Sequence, residues 1–395
     1  MVIRSTLAAS IFFIALSSCG GGGGGGSPTG DPSGGSGGGS GTPVSFGVAT
    51  HYAFGDTVLS VATGDFNSDG EIDIAALTRN SDNNDGNVVI RLADGLGSFG
   101  PAANFRVADG PDSLEAADFN ADGNLDLAVG EDNSIRILIG DGTGFFSNPL
   151  PDVFTFGKQP EDIATGDFNA DGNLDLVVVD IQDDNISILL GDGTGSFGAP
   201  DKHVVGLAPF MVAVADFNND QVEDLAVSSA NTGNVSILLG DGQGSFGIAN
   251  NFAVGVSPFG LATADFNTDG NLDIAVANNT SSDISILLGD GTGLFGAGDT
   301  LTAGTNPRRL ALYDFNSDGK QDLLVSNANS HDVSIMLGNG AGSFDTPANF
   351  PVKPGPNGMQ VQPDEIAVHD FNSDGRADIL TDNGSAETIS ILLGQ

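Results

Sequence analysis

The sequence has one cysteine, no tryptophan, four histidines and only 12 Lys and Arg among its 395 residues. A single cysteine excludes an intramolecular disulfide and any cysteine-rich zinc site. So few basic residues, against 52 acidic ones and a formal charge of −40, exclude a surface that tracks nucleic-acid phosphate. The histidines (His51, His203, His331, His369) share no register. No Gly-x-Ser-x-Gly, His-Glu-x-x-His or phosphate-cradling loop occurs, so the expectation is a protein that is not an enzyme. No window sustains a helical period, and no apolar run is long enough to span a bilayer as a helix. What abounds is glycine (59), phenylalanine (25) and acid. With 39% hydrophobic residues the chain can build a core, so its acidity does not signal disorder throughout. Acid in that excess calls for a counter-charge, and metal cations supply it most simply.

The N-terminus reads as an address. Arg4 precedes an apolar run from Leu7 to Leu16, which suits a signal-peptide core. The run ends in Leu16-Ser17-Ser18-Cys19, which resembles the lipobox of bacterial lipoproteins. The resemblance implies a signal peptide over 1–18 and lipidation of Cys19. With Gly at position 20 rather than Asp, it also implies the outer membrane or cell surface. Residues 19–43 are then the lipidated Cys and a Gly/Ser-rich linker, a flexible tether with a reach of roughly 25–30 Å.

From residue 44 to 395 the chain repeats. The loop Asp65-Phe66-Asn67-Ser68-Asp69-Gly70-Glu71-Ile72-Asp73 recurs from Asp118, Asp167, Asp216, Asp265, Asp314 and Asp370, so roughly every 50 residues. A short apolar segment precedes each loop, and a β-branched run such as Leu272-Asp273-Ile274-Ala275-Val276 follows. A second such run and a Gly-rich turn (Gly289-Asp290-Gly291-Thr292-Gly293) lead to Phe295 and a fourth strand. Four short antiparallel strands in about 50 residues is the size of a propeller blade. The expected fold is all-β, a seven-bladed propeller of four-stranded blades. The chain stops at Leu393-Gly394-Gln395, before a last fourth strand, while Ser45-Phe46-Gly47 through Phe54-Gly55 matches that missing piece. The N-terminal strand should therefore close the last blade and remove the open edges.

Each loop reads Asp-x-Asn-x-Asp-Gly-x-x-Asp, with one departure. Position 1 is Asp65, Asp118, Asp167, Asp216, Asp265, Asp314 and Asp370; position 3 is Asn67, Asn120, Asn169, Asn218, Asn267, Asn316 and Asn372. Position 5 is Asp69, Asp122, Asp171, Asp220, Asp269, Asp318 and Asp374; position 9 is Asp73, Asp126, Asp175, Asp224, Asp273, Asp322 and Asp378. Position 7, offering a backbone carbonyl, is Glu71, Asn124, Asn173, Val222, Asn271, Lys320 and Arg376. Hard oxygens in a tight Gly turn are calcium chemistry, and up to seven calcium ions are expected. An EF-hand is excluded, because position 12 is never Glu and a strand follows the loop. In the fourth loop Gln221 replaces Gly and Glu223 adds an acid. That site should be the weakest, since a side chain in a left-handed turn costs about 1–2 kcal/mol.

Phenylalanine recurs at two registers, after the first Asp of each loop and at the start of each fourth strand, a pattern of packing between blades. The residues just after a recurrent Pro form a second set at the opposite strand ends. They are Asp112, Glu161, Phe210, Phe259, Arg308 and Asp364, with Arg309 next to Arg308. If they ring the central mouth, two Phe adjoin two Arg, with acids across from them. The insertions Lys353–Pro363 and Ser81–Gly86 fall on the same side.

At these loops and turns the sequence resembles the FG-GAP/VCBS-type repeats of integrin α-subunit propellers, some fungal lectins and many bacterial surface proteins. The resemblance covers residues 44–395. It implies calcium between the first and second strands of each blade, and it leaves the ligand open. Two functions follow as expectations: a cell-surface binding or adhesion protein for a glycan or protein ligand, and an envelope scaffold for a partner protein. A polysaccharide-active enzyme ranks behind both. A monomer touching the membrane only through its lipid is expected.

Overall fold

The structure is a computed structural model that describes residues 44–82, 84–107, 110–147, 153–154, 159–352 and 361–395. The signal peptide, Cys19, the linker and most of the Lys353–Pro363 insertion lie outside the described residues.

The described chain forms seven antiparallel sheets in sequence, each a blade. In blade 5 the strands are Pro258–Ala264, Asp273–Asn278, Asp283–Gly289 and Phe295–Thr302, hydrogen-bonded in that order. The second strand of every blade is a run of Ile, Val, Leu and Ala beginning at the position-9 Asp. It sits inside its sheet, flanked by neighbours on both edges and covered by blades on both faces. It is therefore buried along nearly its whole length rather than on alternate residues. The first strands lie innermost and touch those of the adjacent blades. Blade 2 differs: its fourth position is split between Phe146–Ser147 and Val153–Phe154, both paired with Ser134–Gly140.

The ring closes as the sequence implies. Thr50–Ala53 pairs with Thr388–Leu392 as the outer strand of blade 7, in the register Thr50 to Ile391 and Ala53 to Thr388. The Gly47 amide donates to the Leu393 carbonyl (2.8 Å) and the Gln395 amide to the Ser45 carbonyl (2.9 Å).

The two Phe registers meet between blades. Each loop Phe stands edge-on to the Phe that opens the fourth strand of the next blade: Phe66 to Phe146, Phe119 to Phe197, Phe168 to Phe246, Phe217 to Phe295, and Phe266 to Phe344. The circle is completed by Phe315 against Phe46 and Phe371 against Phe99. Centroids lie 5.3–6.4 Å apart at tilts near perpendicular, the geometry that aromatic quadrupoles favour.

Candidate functional site: seven acidic loops and a central mouth

Each acidic loop folds on its own N–H groups. In blade 5 the Asp265 carboxylate accepts from the Asp269 and Gly270 amides at 3.1 and 2.8 Å. Asn267 Oδ1 accepts from Asp269 N–H (2.8 Å), and Asp269 Oδ1 from Asn271 N–H (2.9 Å). The other loops repeat this, as in blade 1 and blade 7. Two residues of every loop are left-handed. Position 6 is one, and a Cβ placed on Gly70 would meet nothing within 4 Å, so glycine is there for its φ of +91° and not for space. Position 4 is the other, although Ser68, Ala121, Ala170, Asn219, Thr268, Ser317 and Ser373 are not glycines. The sequence pattern gives no sign of this second turn.

Gln221 adopts φ +67° and still donates its amide to Asp216 Oδ2 at 2.7 Å. The fourth loop therefore keeps its shape at the cost of backbone strain. Glu223 does not join it: Oε2 reaches blade 3 and accepts from the Asp167 amide at 2.8 Å. In blades 6 and 7 the position-7 side chains bring their own cations. Lys320 Nζ lies 3.2 Å from Asp318 Oδ2, and Arg376 Nη1 lies 3.4 Å from Asp374 Oδ2.

Position 9 does something the sequence reading missed. Asp273 accepts from Phe266 N–H through Oδ2 (3.0 Å) and from Gly289 N–H through Oδ1 (2.9 Å), and no part of the residue is exposed. The other six position-9 carboxylates do the same, stapling their loop to the start of the Gly-rich turn. Burial pushes Asp273 up to about 6 against those two bonds, and the carboxylates of Asp269 and Asp265 push it further.

The donors fit calcium in kind: carboxylate, amide and backbone oxygens around a tight turn. Each oxygen bonded to one N–H keeps a second lone pair. Among the described residues, no three His, Cys, Asp or Glu converge as a cage that could hold a metal. An ion would therefore share oxygens that already order the loop.

At the opposite ends of the strands the first strands are irregular. Pairing with the second strand slips just after Pro111, Pro160, Pro209, Pro258 and Pro307, and after Val58 in blade 1. A bulge re-aims the side chains it carries, and in blades 2 to 6 these are the residues singled out after Pro, whereas Asp364 of blade 7 precedes a regularly paired strand. Neighbouring blades satisfy the freed backbone groups. Ser228 Oγ accepts from Met211 N–H (3.1 Å) and donates to the Phe259 carbonyl (2.7 Å); Ser326 does the same between Arg309 and Asp364. In blade 7, Asp382 Oδ1 accepts from the Asp364 and Glu365 amides.

The bulges bring the candidates together. Phe210 and Phe259 stack face to face, 4.0 Å between centroids and 6° apart. The Arg309 guanidinium lies 5.4 Å from the Phe210 ring and that of Arg308 5.8 Å from Phe259. Arg308 bonds Asp364 (2.6 Å) and Arg309 bonds Glu365 (2.7 Å). Asp112 turns to Arg79 at 3.4 Å. Burial raises Glu161 to about 7; Arg309 opposes this, while Asp112, Asp162 and Asp364 add to it. Burial works against the Arg309 charge, but Glu365, Asp162, Asp364 and Glu161 more than offset it and raise its pKa. Sequence reasoning missed Asp162, Glu365 and Asp382, which differ in type from blade to blade and carry no motif. Below the mouth lies a cavity of about 870 Å³, lined by first-strand residues including Glu115, Asp162, Met211, Arg309 and Glu365.

Solved structures with this shape serve different ends. BBS1N, in its complex with ARL6DN, superposes with a TM-score of 0.59 at 14% identity, over 88% of this chain and 96% of that one. An Agrocybe aegerita lectin that recognises non-reducing terminal N-acetylglucosamine gives 0.54 at 18%, over 74% and 80%. The periplasmic gluconolactonase PpgL of Pseudomonas aeruginosa gives 0.54 at 16%, over 74% and 84%. At such identity they share the fold alone. No curated protein matches the sequence. The FG-GAP-like repeat family matches six overlapping stretches, 65–129, 118–178, 167–227, 216–276, 265–325 and 314–381. Each stretch runs from one acidic loop through the next and into the strand beyond it, and together they cover most of the chain, which therefore belongs to the FG-GAP-like repeat proteins.

Proposed function

We propose that this propeller is a calcium-stabilised surface binding protein that takes a glycan or protein ligand at its central mouth. One observation supports the reading: Phe210 and Phe259 stack beside Arg308 and Arg309, Arg308 pairs with Asp364, and Glu161 feels the charges of Arg309, Asp112 and Asp364, so side chains from six blades lie near one another at one end of the strands. Such a rim offers carboxylates that accept from hydroxyl or amine groups, guanidiniums that donate, and apolar ring edges. Calcium, held by positions 1, 3, 5 and 9 with the position-7 carbonyl, would fix the far ends of the same blades. The chain would be exported and held at the cell envelope by the lipid on Cys19. Replacing Cys19 with Ser should release it from the membrane fraction, and unchanged fractionation would remove the anchor from this reading.

The test of the binding role is a glycan array and a surface-protein overlay, each with and without a calcium chelator. Signals that vanish with chelator and drop in Phe210→Ala or Phe259→Ala support it; signals unchanged in both variants refute it. An envelope scaffold is the second reading. It draws on the pairing already present at the mouth, where each ring faces the other and each Arg has an acid. Stoichiometric co-purification with one envelope protein would favour it. The likeness to a gluconolactonase is one of fold, and lactone or polysaccharide cleavage by the pure protein would overturn both readings.

A further inference from the structure

The closing seam fixes where the chain enters the ring. Phe46 bridges Gly394, whose amide donates at 2.8 Å to Asp378 Oδ1, the position-9 carboxylate of the blade 7 loop. Thr50–Ala53 then runs to the opposite strand ends, where the Phe54 amide meets the Glu387 carbonyl (2.9 Å). Val44, the first described residue, therefore stands on the side of the acidic loops, away from the mouth. Leu96, Phe145 and Leu294 share that side, on the Gly-rich turns of blades 1, 2 and 5, with 78%, 56% and 50% of their surface exposed. Each of these turns is bonded to the preceding blade's acidic loop: Gly97 N–H to the Phe371 carbonyl, Gly144 N–H to Phe66 and Gly293 N–H to Phe217. Phe145 and Leu294 stand where blades 1, 3, 4 and 6 have serine. Scattered exposed side chains carry no meaning alone, and the mouth side has its own in Leu207 and Val256. What chooses between the two sides is the point of entry.

We propose that in the anchored protein the acidic-loop face lies against the bilayer, with Leu96, Phe145 and Leu294 entering the headgroup layer and the mouth turned away. This rests on the anchor reading of Cys19. Residues 20–43 read as a linker with a reach of roughly 25–30 Å, and it joins the ring beside the blade 7 loop. A first strand of 7 residues sets the mouth roughly 20 Å further from that point, so the lipid favours the acidic face. Apolar side chains at the turn tips bury area in the interface and hold the face there. The loop acids repel anionic headgroups. Docking therefore needs their charge offset by the cation that the loop oxygens suit, and a chelator should lift the face off.

The test reconstitutes the full lipidated chain into vesicles of phosphatidylethanolamine with about a quarter phosphatidylglycerol and a headgroup nitroxide quencher. The lipid occupies the Cys19 thiol, so Gln243→Cys and Thr280→Cys each offer one thiol for a fluorophore. Both residues are exposed, Gln243 at an acidic-face turn and Thr280 at the mouth side. With calcium, quenching at 243 should exceed that at 280 at least about threefold, and the excess should vanish in chelator. Replacing the three tips with residues of sister blades (Leu96→Thr, Phe145→Ser, Leu294→Ser) should also remove it; should that variant not fold, the two labels on the parent tips carry the test. Equal quenching at both sites, stronger quenching at 280, or none at either in vesicle-bound protein overturns the orientation. Protein that fails to float with the vesicles removes the anchor, and this proposal with it. Excess quenching at 243 that persists in chelator supports the orientation and shows that the apolar tips alone hold it.

Discussion

The buried staple at position 9 can be tested apart from any metal. In Asp273→Asn one oxygen remains and an amide N–H₂ takes the place of the other. One of the two amides, Phe266 or Gly289, then faces a donor. Leaving a buried N–H unsatisfied costs about 1–3 kcal/mol, and loss of charge assistance at the other adds about 1 kcal/mol. The sum, about 2–4 kcal/mol, corresponds to a drop of roughly 4–8 °C in the melting temperature at about 2 °C per kcal/mol. Asp273→Ala orphans both amides and should cost more. Calorimetric melting of parent and variant, with calcium and with chelator, gives the drop. Hydrogen exchange of the Phe266 and Gly289 amides locates it. A carboxylate that served only as a metal ligand would show the loss with calcium alone and leave both amides protected. That result, or a variant as stable as the parent in chelator, would refute the staple.

Deleting 44–54 should destabilise the ring far more than deleting 20–43, because only the first removes the strand paired with Thr388–Leu392; equal melting temperatures would deny the closure. Calcium titration of Gln221→Gly should show one site tightened roughly fivefold to thirtyfold, as relief of about 1–2 kcal/mol of left-handed strain implies; a weakened site, or fewer than three ions bound by the parent, would sink the calcium reading. Glu161 has its pKa raised by burial to about 7 in the fold. Its contribution to stability is therefore complete below about pH 4.5 and is lost as pH rises through 7. Glu161→Gln should flatten the fall in melting temperature between pH 5 and 8, and a slope identical to that of the parent would contradict the burial of this carboxyl.

Much of this was legible because it repeats. The loop spacing gave the blades, the unmatched segments at the two ends gave the seam, and the two Phe registers gave the contacts between blades. The irregular strand ends were legible for a subtler reason: in blades 2 to 6 Pro marks where the first strand slips, so the residue after it is released from the ladder. What stayed hidden depends on neighbours distant in sequence. Glu223 looks like a loop acid until blade 3 places the Asp167 amide against it. Position 9 looks like one more ligand until the fold brings the Gly-rich turn to its other oxygen. The pairing of Arg309 with Glu365, 56 residues on, needed the curvature of the ring to bring two blades together.

The edge-on Phe pairs bear on how the chain is made. Every loop Phe is covered by the following blade, and Phe99 of blade 1, which also stands edge-on to Tyr52, meets its loop Phe in Phe371 of blade 7. A chain emerging from its N-terminus therefore carries an uncovered aromatic flank until nearly the last residues appear. Thr50–Ala53, among the first described residues to emerge, waits for Thr388–Leu392, among the last. Contacts that span almost the whole sequence close late and slowly. The final step of assembly is thus a cyclisation, and a chain cut short by even one blade would present two unsealed faces, both suited to capture another copy.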